Sequence, residues 1–135
     1  QEGIERMREA ARGLAKMQLA VDLVFTSPLT RARQTAEIFT KELGPAKAAL
    51  MEELSGGQPP AYLLKKLAEF SGDEKIALVG HEPDMSEYAA FFLGTARALP
   101  FKKGAVMAIE FDGRAGQGKG RLMWYLPTKV MRHLA

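Results

Sequence analysis

Two short segments of this sequence contain side chains that are suited to binding a phosphate or another oxyanion. Ser27, Thr30 and Arg31 stand together in the segment TSPLTRARQTAE, and His81 stands in the segment VGHEPD. Hydroxyl, guanidinium and imidazole groups all donate hydrogen bonds, and guanidinium also brings positive charge. We therefore predict a phosphate site if the fold joins the two segments, although their spacing alone does not identify a reaction.

Both segments follow a predicted strand and open a predicted helix. The first strand spans about 22–25, and the second is the continuous apolar run 76–79, typical of a central parallel strand covered on both faces. Ser27 is predicted to cap the first helix, which begins at Pro28 and ends at Gly44-Pro45. Since ligands of open α/β sheets bind beyond the carboxyl ends of the strands, these loops define the expected site.

The remaining patterns complete an α/β domain. Apolar spacing predicts three further helices. An alternating strand, a glycine-rich turn and a second strand predict an antiparallel hairpin near the end of the chain. We expect one three-layer helix–sheet–helix domain over residues 1–135, with a mostly parallel sheet and the hairpin at its edge. The elements are a helix around Ile4–Leu14, a loop over 47–60, a helix around Leu63–Phe70, a helix capped by Asp84 and Glu87 in a capping box, and strands over 105–111 and 122–126.

Composition excludes several classes of protein. The 135 residues include no cysteine, which rules out disulfides, thiolate metal sites and cysteine nucleophiles, and an ordinary reducing cytoplasm fits this. The 19 Lys and Arg against 16 Asp and Glu give a net charge of +3, which permits an anionic substrate but does not favour nucleic acid. No apolar run approaches the roughly 20 residues of a membrane span, and no signal-peptide pattern opens the chain.

The two polar segments resemble the motifs of a known family. The run from Ser27 to Glu37, SPLTRARQTAE, resembles the SPLxRAxQTAE signature of the histidine phosphatase superfamily, and GHEPD at 80–84 resembles the GHxPD segment of its compact SixA-type branch. The C-terminal hairpin, with Lys103-Gly104 before it and WYLP after it, is similar to the end of that branch. The resemblance runs from about Gly3 to Pro127.

This resemblance implies catalytic roles. Arg31 would be the second phosphate-binding arginine, and His81 would donate a hydrogen bond to the phosphoryl oxygens, while Ser27 and Thr30 complete the phosphate site. The family's nucleophile is the histidine of an Arg-His-Gly motif, which is absent from residues 1–135, where the two histidines are His81 and His133. We expect that motif, with its strand, upstream of Gln1. No metal or cofactor is implied, and Arg33 is assigned no role.

The general acid and the substrate stay open at this point. Glu52, Glu53 and Glu82 are candidate acids, and none is preferred. The stretch between Arg31 and His81 has little material for a lid, so we expect an open pocket that suits phosphohistidine on a protein, such as a histidine-containing phosphotransfer domain. The alternatives are a small phosphate ester as substrate, or a non-catalytic phosphate-binding module.

Overall fold

The computed structural model describes residues 2–44, 47–97 and 99–135, and these residues form the predicted α/β fold. Helices and strands alternate along the chain until the C-terminal hairpin, which is followed by a last helix. None of the described helices has the length and apolar character that crossing a membrane requires. The elements are α1 (Glu2–Lys16), β1 (Leu23–Thr26), α2 (Thr30–Leu43), β2 (Ala49–Leu50), a 3₁₀ turn (Glu52–Leu54), α3 (Pro60–Leu67), β3 (Ile76–Val79), α4 (Asp84–Leu93), β4 (Val106–Glu110), β5 (Arg121–Leu126) and α5 (Thr128–Leu134).

Three strands form a parallel sheet in the order β2-β1-β3. Thr26 at the end of β1 is in register with Leu50 of β2 and with Val79 of β3. The carboxyl ends of all three strands therefore lie level at one edge of the sheet. The loops that follow them begin side by side, with about 4.8 Å between neighbouring strands.

The hairpin and the parallel sheet are separate among the described residues. β4 and β5 pair antiparallel with a bulge between Ala108 and Ile109, and they form a two-stranded sheet of their own. β3 pairs with β1 on one side only, and all four of its residues are half-buried. Among the described residues β3 is therefore an edge strand of the parallel sheet where the sequence predicts a central one, because apolar composition does not report which neighbours a strand has.

Two apolar clusters hold the helices in place. One joins α3 and the 3₁₀ turn to α4, and the other joins α1 to α5. The fully buried leucines Leu14, Leu54 and Leu63 each contribute roughly 1.5–3 kcal/mol from burial. The first cluster matters for the site because it fixes the segments that flank the carboxyl edge of the sheet.

Besides the 3₁₀ turn, one strand and one helix are absent from the sequence prediction. The two-residue strand β2 lies within the predicted loop 47–60, and its pairing with β1 is what makes it a strand. α5 follows Pro127, where the pattern ends, and it is held by Met131, which is fully buried against α1. Both elements contain too few residues to show a periodic apolar pattern, so their structure depends on tertiary contacts.

Gly13 allows α1 and α5 to approach closely, and replacing it is expected to destabilise the protein. A Cβ at this position would lie 1.9 Å from the carbonyl oxygen of Met131, so Gly13→Ala must push α5 away. We expect a loss of about 1–3 kcal/mol in the free energy of unfolding, measured by urea titration. Gly3→Ala is the matched control on the same helix, because a Cβ there meets nothing within 4 Å. Equal stability of the two variants would contradict the close contact.

Candidate phosphate site

The structure brings the two polar segments into direct contact. His81 follows β3 and Ser27 follows β1, and the Ser27 Oγ lies 2.8 Å from the His81 Nε2. The Ser27 backbone N–H also donates to the carbonyl oxygen of Val79, at 2.9 Å. Ser27 is fully buried, and His81 is half-buried at the edge of the sheet. Adjacent parallel strands therefore place a hydroxyl and an imidazole, 54 positions apart in the chain, in one hydrogen bond.

Ser27 has a different local role from the predicted helix cap. α2 begins at Thr30 with Leu29 as its N-cap residue, two positions later than the sequence predicts. The Ser27 Oγ accepts the N–H of Leu29 at 3.2 Å, and the first helical bond runs from the Arg33 N–H to the Leu29 carbonyl. The serine therefore forms a tight turn before the helix, because its hydroxyl is engaged by His81 at the strand end.

Thr30 and Arg31 form the first turn of α2, immediately beyond this contact. Both side chains are exposed, and no acidic residue occupies the first turn of the helix. The helix N-terminus and the guanidinium both favour an anion at this end of the sheet. The convergence of Arg31 and His81 on one anion stays a prediction.

Glu82, which directly follows His81, caps the N-terminal end of α4. Its carboxylate accepts the Ser86 backbone N–H at 2.8 Å and also the Ser86 hydroxyl. The predicted capping box of Asp84 and Glu87 is wrong, since α4 has Pro83 as its N-cap residue without a side-chain cap bond. Sequence gives only a weak signal for this arrangement, because the capping carboxylate precedes the cap residue.

Asp84 serves a different contact that was missed from the sequence. It is buried, and its Oδ2 accepts the backbone N–H of Gly57 at 3.0 Å. Tyr88, one turn further along α4, donates its hydroxyl to the Glu53 carbonyl oxygen at 3.1 Å. Burial, with the nearby charges of Asp84 and Glu87, raises the pKa of Tyr88 to about 12, so the phenol stays a donor at neutral pH. These bonds fasten residues 52–57 to the helix that follows His81.

The three candidate general acids occupy different places. Both carboxylate oxygens of Glu82 are engaged by Ser86, so acid catalysis by Glu82 would require that cap to open. Glu52 and Glu53 lie in the 3₁₀ turn after β2, which packs against α4, and both line an open groove between β2 and α3. The structure therefore brings none of the three into the hydrogen bond between Ser27 and His81.

Arg33 lies in a different environment. With Glu37, Thr40 and Lys47 it lines an open groove of about 360 Å³ between α2 and β2. This groove borders the outer edge of the parallel sheet, whereas His81 follows the strand at the other edge. Arg33 therefore serves as a matched control for Arg31 in the experiments below.

The fold and the paired segments define an α/β protein with a candidate oxyanion site at the carboxyl edge of a parallel sheet. Residues 1–57, which include Ser27 and Arg31, match the family profile of the histidine phosphatase superfamily (branch 1). An uncharacterized protein of Picosynechococcus sp. is 37% identical over 112 residues, covering 80% of this chain and 68% of that protein. The chain belongs to the histidine phosphatase superfamily.

A solved structure indicates which branch of the superfamily this chain resembles. The protein histidine phosphatase SixA, solved in complex with tungstate, is similar with a TM-score of 0.78 and 25% identity over 96% of this chain and 83% of that one. A 2,3-bisphosphoglycerate-dependent phosphoglycerate mutase of Beijerinckia indica is 27% identical over 84% of this chain and 58% of that protein. The α/β fold and the resemblance to the SixA-type branch are thus confirmed, and family membership supports a phosphatase.

Proposed function

We propose that this protein is a metal-independent phosphatase that works through a phosphohistidine enzyme intermediate and removes phosphate from phosphohistidine on another protein. The observation that carries the proposal is the 2.8 Å contact between Ser27 and His81. It joins the two motifs at the edge of the sheet where an α/β fold binds its ligands. The similarity to a protein histidine phosphatase supports the substrate class.

In this proposal the nucleophile is a histidine of an Arg-His-Gly motif that lies upstream of Gln1. Among the residues described, β3 has pairing on one side only and the hairpin forms its own sheet, so a further parallel strand has an edge to join. A strand beside β3 would end at the same edge as Val79. The loop after it would then lie next to His81 and Ser27.

Each step of the proposed reaction transfers one phosphoryl group. A nitrogen lone pair of the upstream histidine attacks phosphorus, and the bond to the leaving imidazole breaks as that imidazole takes up a proton. Water then attacks the phosphoenzyme, the P–N bond breaks, and phosphate leaves with the histidine restored. Arg31 and His81 stabilise the charge on the phosphoryl oxygens in both steps. An imidazole leaves readily, which makes a dedicated carboxylic acid unnecessary.

The shape of the region between the two motifs supports a protein substrate. α3 packs into the core through Leu63, which is fully buried with Tyr88 and Phe92 of α4, so this segment is a part of the body of the protein and not a lid. Leu29, two residues from Ser27, is 51% exposed. An open site bordered by an exposed leucine suits a phosphorylated residue displayed on another protein, such as a phosphotransfer domain.

Leu29→Ser is expected to separate the protein substrate from a small phosphate ester. Loss of the exposed apolar side chain should lower kcat/KM for a phosphohistidine protein about tenfold, or ~1.4 kcal/mol. The value of kcat/KM for a chromogenic ester should stay within about twofold of the wild type. Serine suits the N-cap position of α2, so the helix is retained. The assay uses the protein with its upstream segment.

Val130→Ser provides the control for this measurement. Val130 is 42% exposed on α5, which packs against α1 and carries none of the motif residues. It should leave both rates unchanged. An equal decrease of kcat/KM for both substrates in Leu29→Ser would favour the alternative of a small-molecule phosphomonoesterase.

A further inference from the structure

The hydrogen bonds at Ser27 can be assigned a direction. Its Oγ has two partners among the described residues, the Leu29 N–H at 3.2 Å and the His81 Nε2 at 2.8 Å. The Leu29 amide must donate, and so it occupies one lone pair of the oxygen. The hydroxyl proton of Ser27 then has His81 Nε2 as its acceptor among these residues.

The opposite direction would leave a buried donor without a partner. If Nε2 carried the proton, Ser27 would accept from both neighbours, and its own proton would have no acceptor among the described residues. Ser27 has no exposed surface, so this proton would also be withheld from solvent. Leaving a buried hydroxyl unsatisfied is unfavourable, whereas donation to Nε2 satisfies all three groups.

We infer that Ser27 donates to the His81 Nε2 and thereby holds the imidazole as the neutral tautomer that carries its proton on Nδ1. This makes Ser27 a positioning residue instead of the direct phosphate ligand that its motif suggests. Its own position is rigid, because its backbone N–H is bonded to Val79 on the neighbouring strand.

The other ring nitrogen is free to meet a ligand. Nδ1 of His81 has no protein partner within the described ranges, where every fully buried side-chain nitrogen or oxygen has one, so Nδ1 reaches solvent. With the proton on Nδ1, His81 presents one N–H donor to a phosphoryl oxygen. This last step depends on the proposed function, while the tautomer itself does not.

Nitrogen-15 NMR of the imidazole groups tests the assignment directly. The chain has two histidines, so the spectrum contains two ring systems, and the exposed His133 on α5 provides an internal reference. At about pH 8, above the ordinary titration range of imidazole, long-range proton–nitrogen correlations show which nitrogen is protonated. We expect His81 to carry its proton on Nδ1, and His133 to show the averaged pattern of a solvated ring.

Variants of Ser27 extend the test. Ser27→Ala should shift His81 toward the Nε2-protonated form, whereas Ser71→Ala, at an exposed serine bonded to Glu74, should leave it unchanged. The wild-type spectrum decides the tautomer even if Ser27→Ala does not fold. Protonation of His81 at Nε2 in the wild type would overturn the inference and leave the proposed function standing.

Titration with inorganic phosphate tests the second half of the inference. The Nδ1 resonance of His81 should move as phosphate is added, while His133 and a Ser71→Ala sample serve as references. An Nδ1-protonated ring that does not respond to phosphate would overturn the anion-facing role, and it would count against the proposed function as well.

Discussion

Arg31→Ala is expected to lower kcat/KM about a hundredfold or more, on the order of 3 kcal/mol, in the protein that carries its upstream segment. Arg31 lies in the first turn of α2, directly after the turn that Ser27 forms, and it is exposed at the end of the sheet where we propose that the phosphoryl group binds. A guanidinium that fits the three equatorial oxygens in the in-line geometry binds the transition state better than the ground state, so kcat should fall more than KM rises. Steady-state rates with a phosphohistidine protein measure the effect.

Arg33→Ala is the matched control for this substitution. Arg33 is on the same helix and is also exposed, but it lines the groove beside β2 with Glu37 and Lys47. Its removal changes the net charge by the same amount and should leave the rate within about twofold. Equal losses in the two variants would indicate a general charge effect and contradict the assigned role of Arg31.

Chelators should leave the wild-type rate unchanged, and abolition of the activity by EDTA would overturn the metal-independent scheme.

Residues 1–135 alone are expected to bind phosphate weakly and to show no turnover. Of their two histidines, His81 is held through Nε2 by Ser27, and His133 is exposed on α5, which packs against α1. Neither is placed to act as the nucleophile of the proposed reaction. Addition of the proposed upstream segment with its Arg-His-Gly motif should raise the rate by many orders of magnitude, since covalent catalysis then becomes possible.

Two measurements make this comparison decisive. Rates are determined for both proteins with a phosphohistidine protein and with a chromogenic ester, and trapping with labelled substrate shows whether a phosphohistidine forms on the enzyme. Comparable rates for both proteins would mean that the nucleophile lies within residues 1–135. An upstream segment without Arg-His-Gly, together with phosphate binding but no turnover, would favour the non-catalytic binding module.

Much of the fold could be predicted because its signals are local. The apolar strands β1 and β3 and the amphipathic helices α1 and α2 each have a pattern within their own residues, and their boundaries were found to within a few positions. The short elements β2 and α5 had no such signal. β2 is a strand because it pairs with β1, and α5 is held by its packing against α1. Neither contact is visible in the residues of the element itself.

For the candidate site, too, the sequence determined one part and the tertiary structure another. Sequence alone determined the family resemblance and the identity of Ser27, Thr30, Arg31 and His81, because motif residues and their order along the chain are visible without a structure. Tertiary structure decided what these residues do locally: Ser27 bonds His81 where the sequence predicts a helix cap, and Glu82 caps α4 in place of Asp84. A polar side chain has several partners within reach of its own segment, and the register between β1 and β3 selects among them, since it brings groups 54 positions apart to within 2.8 Å.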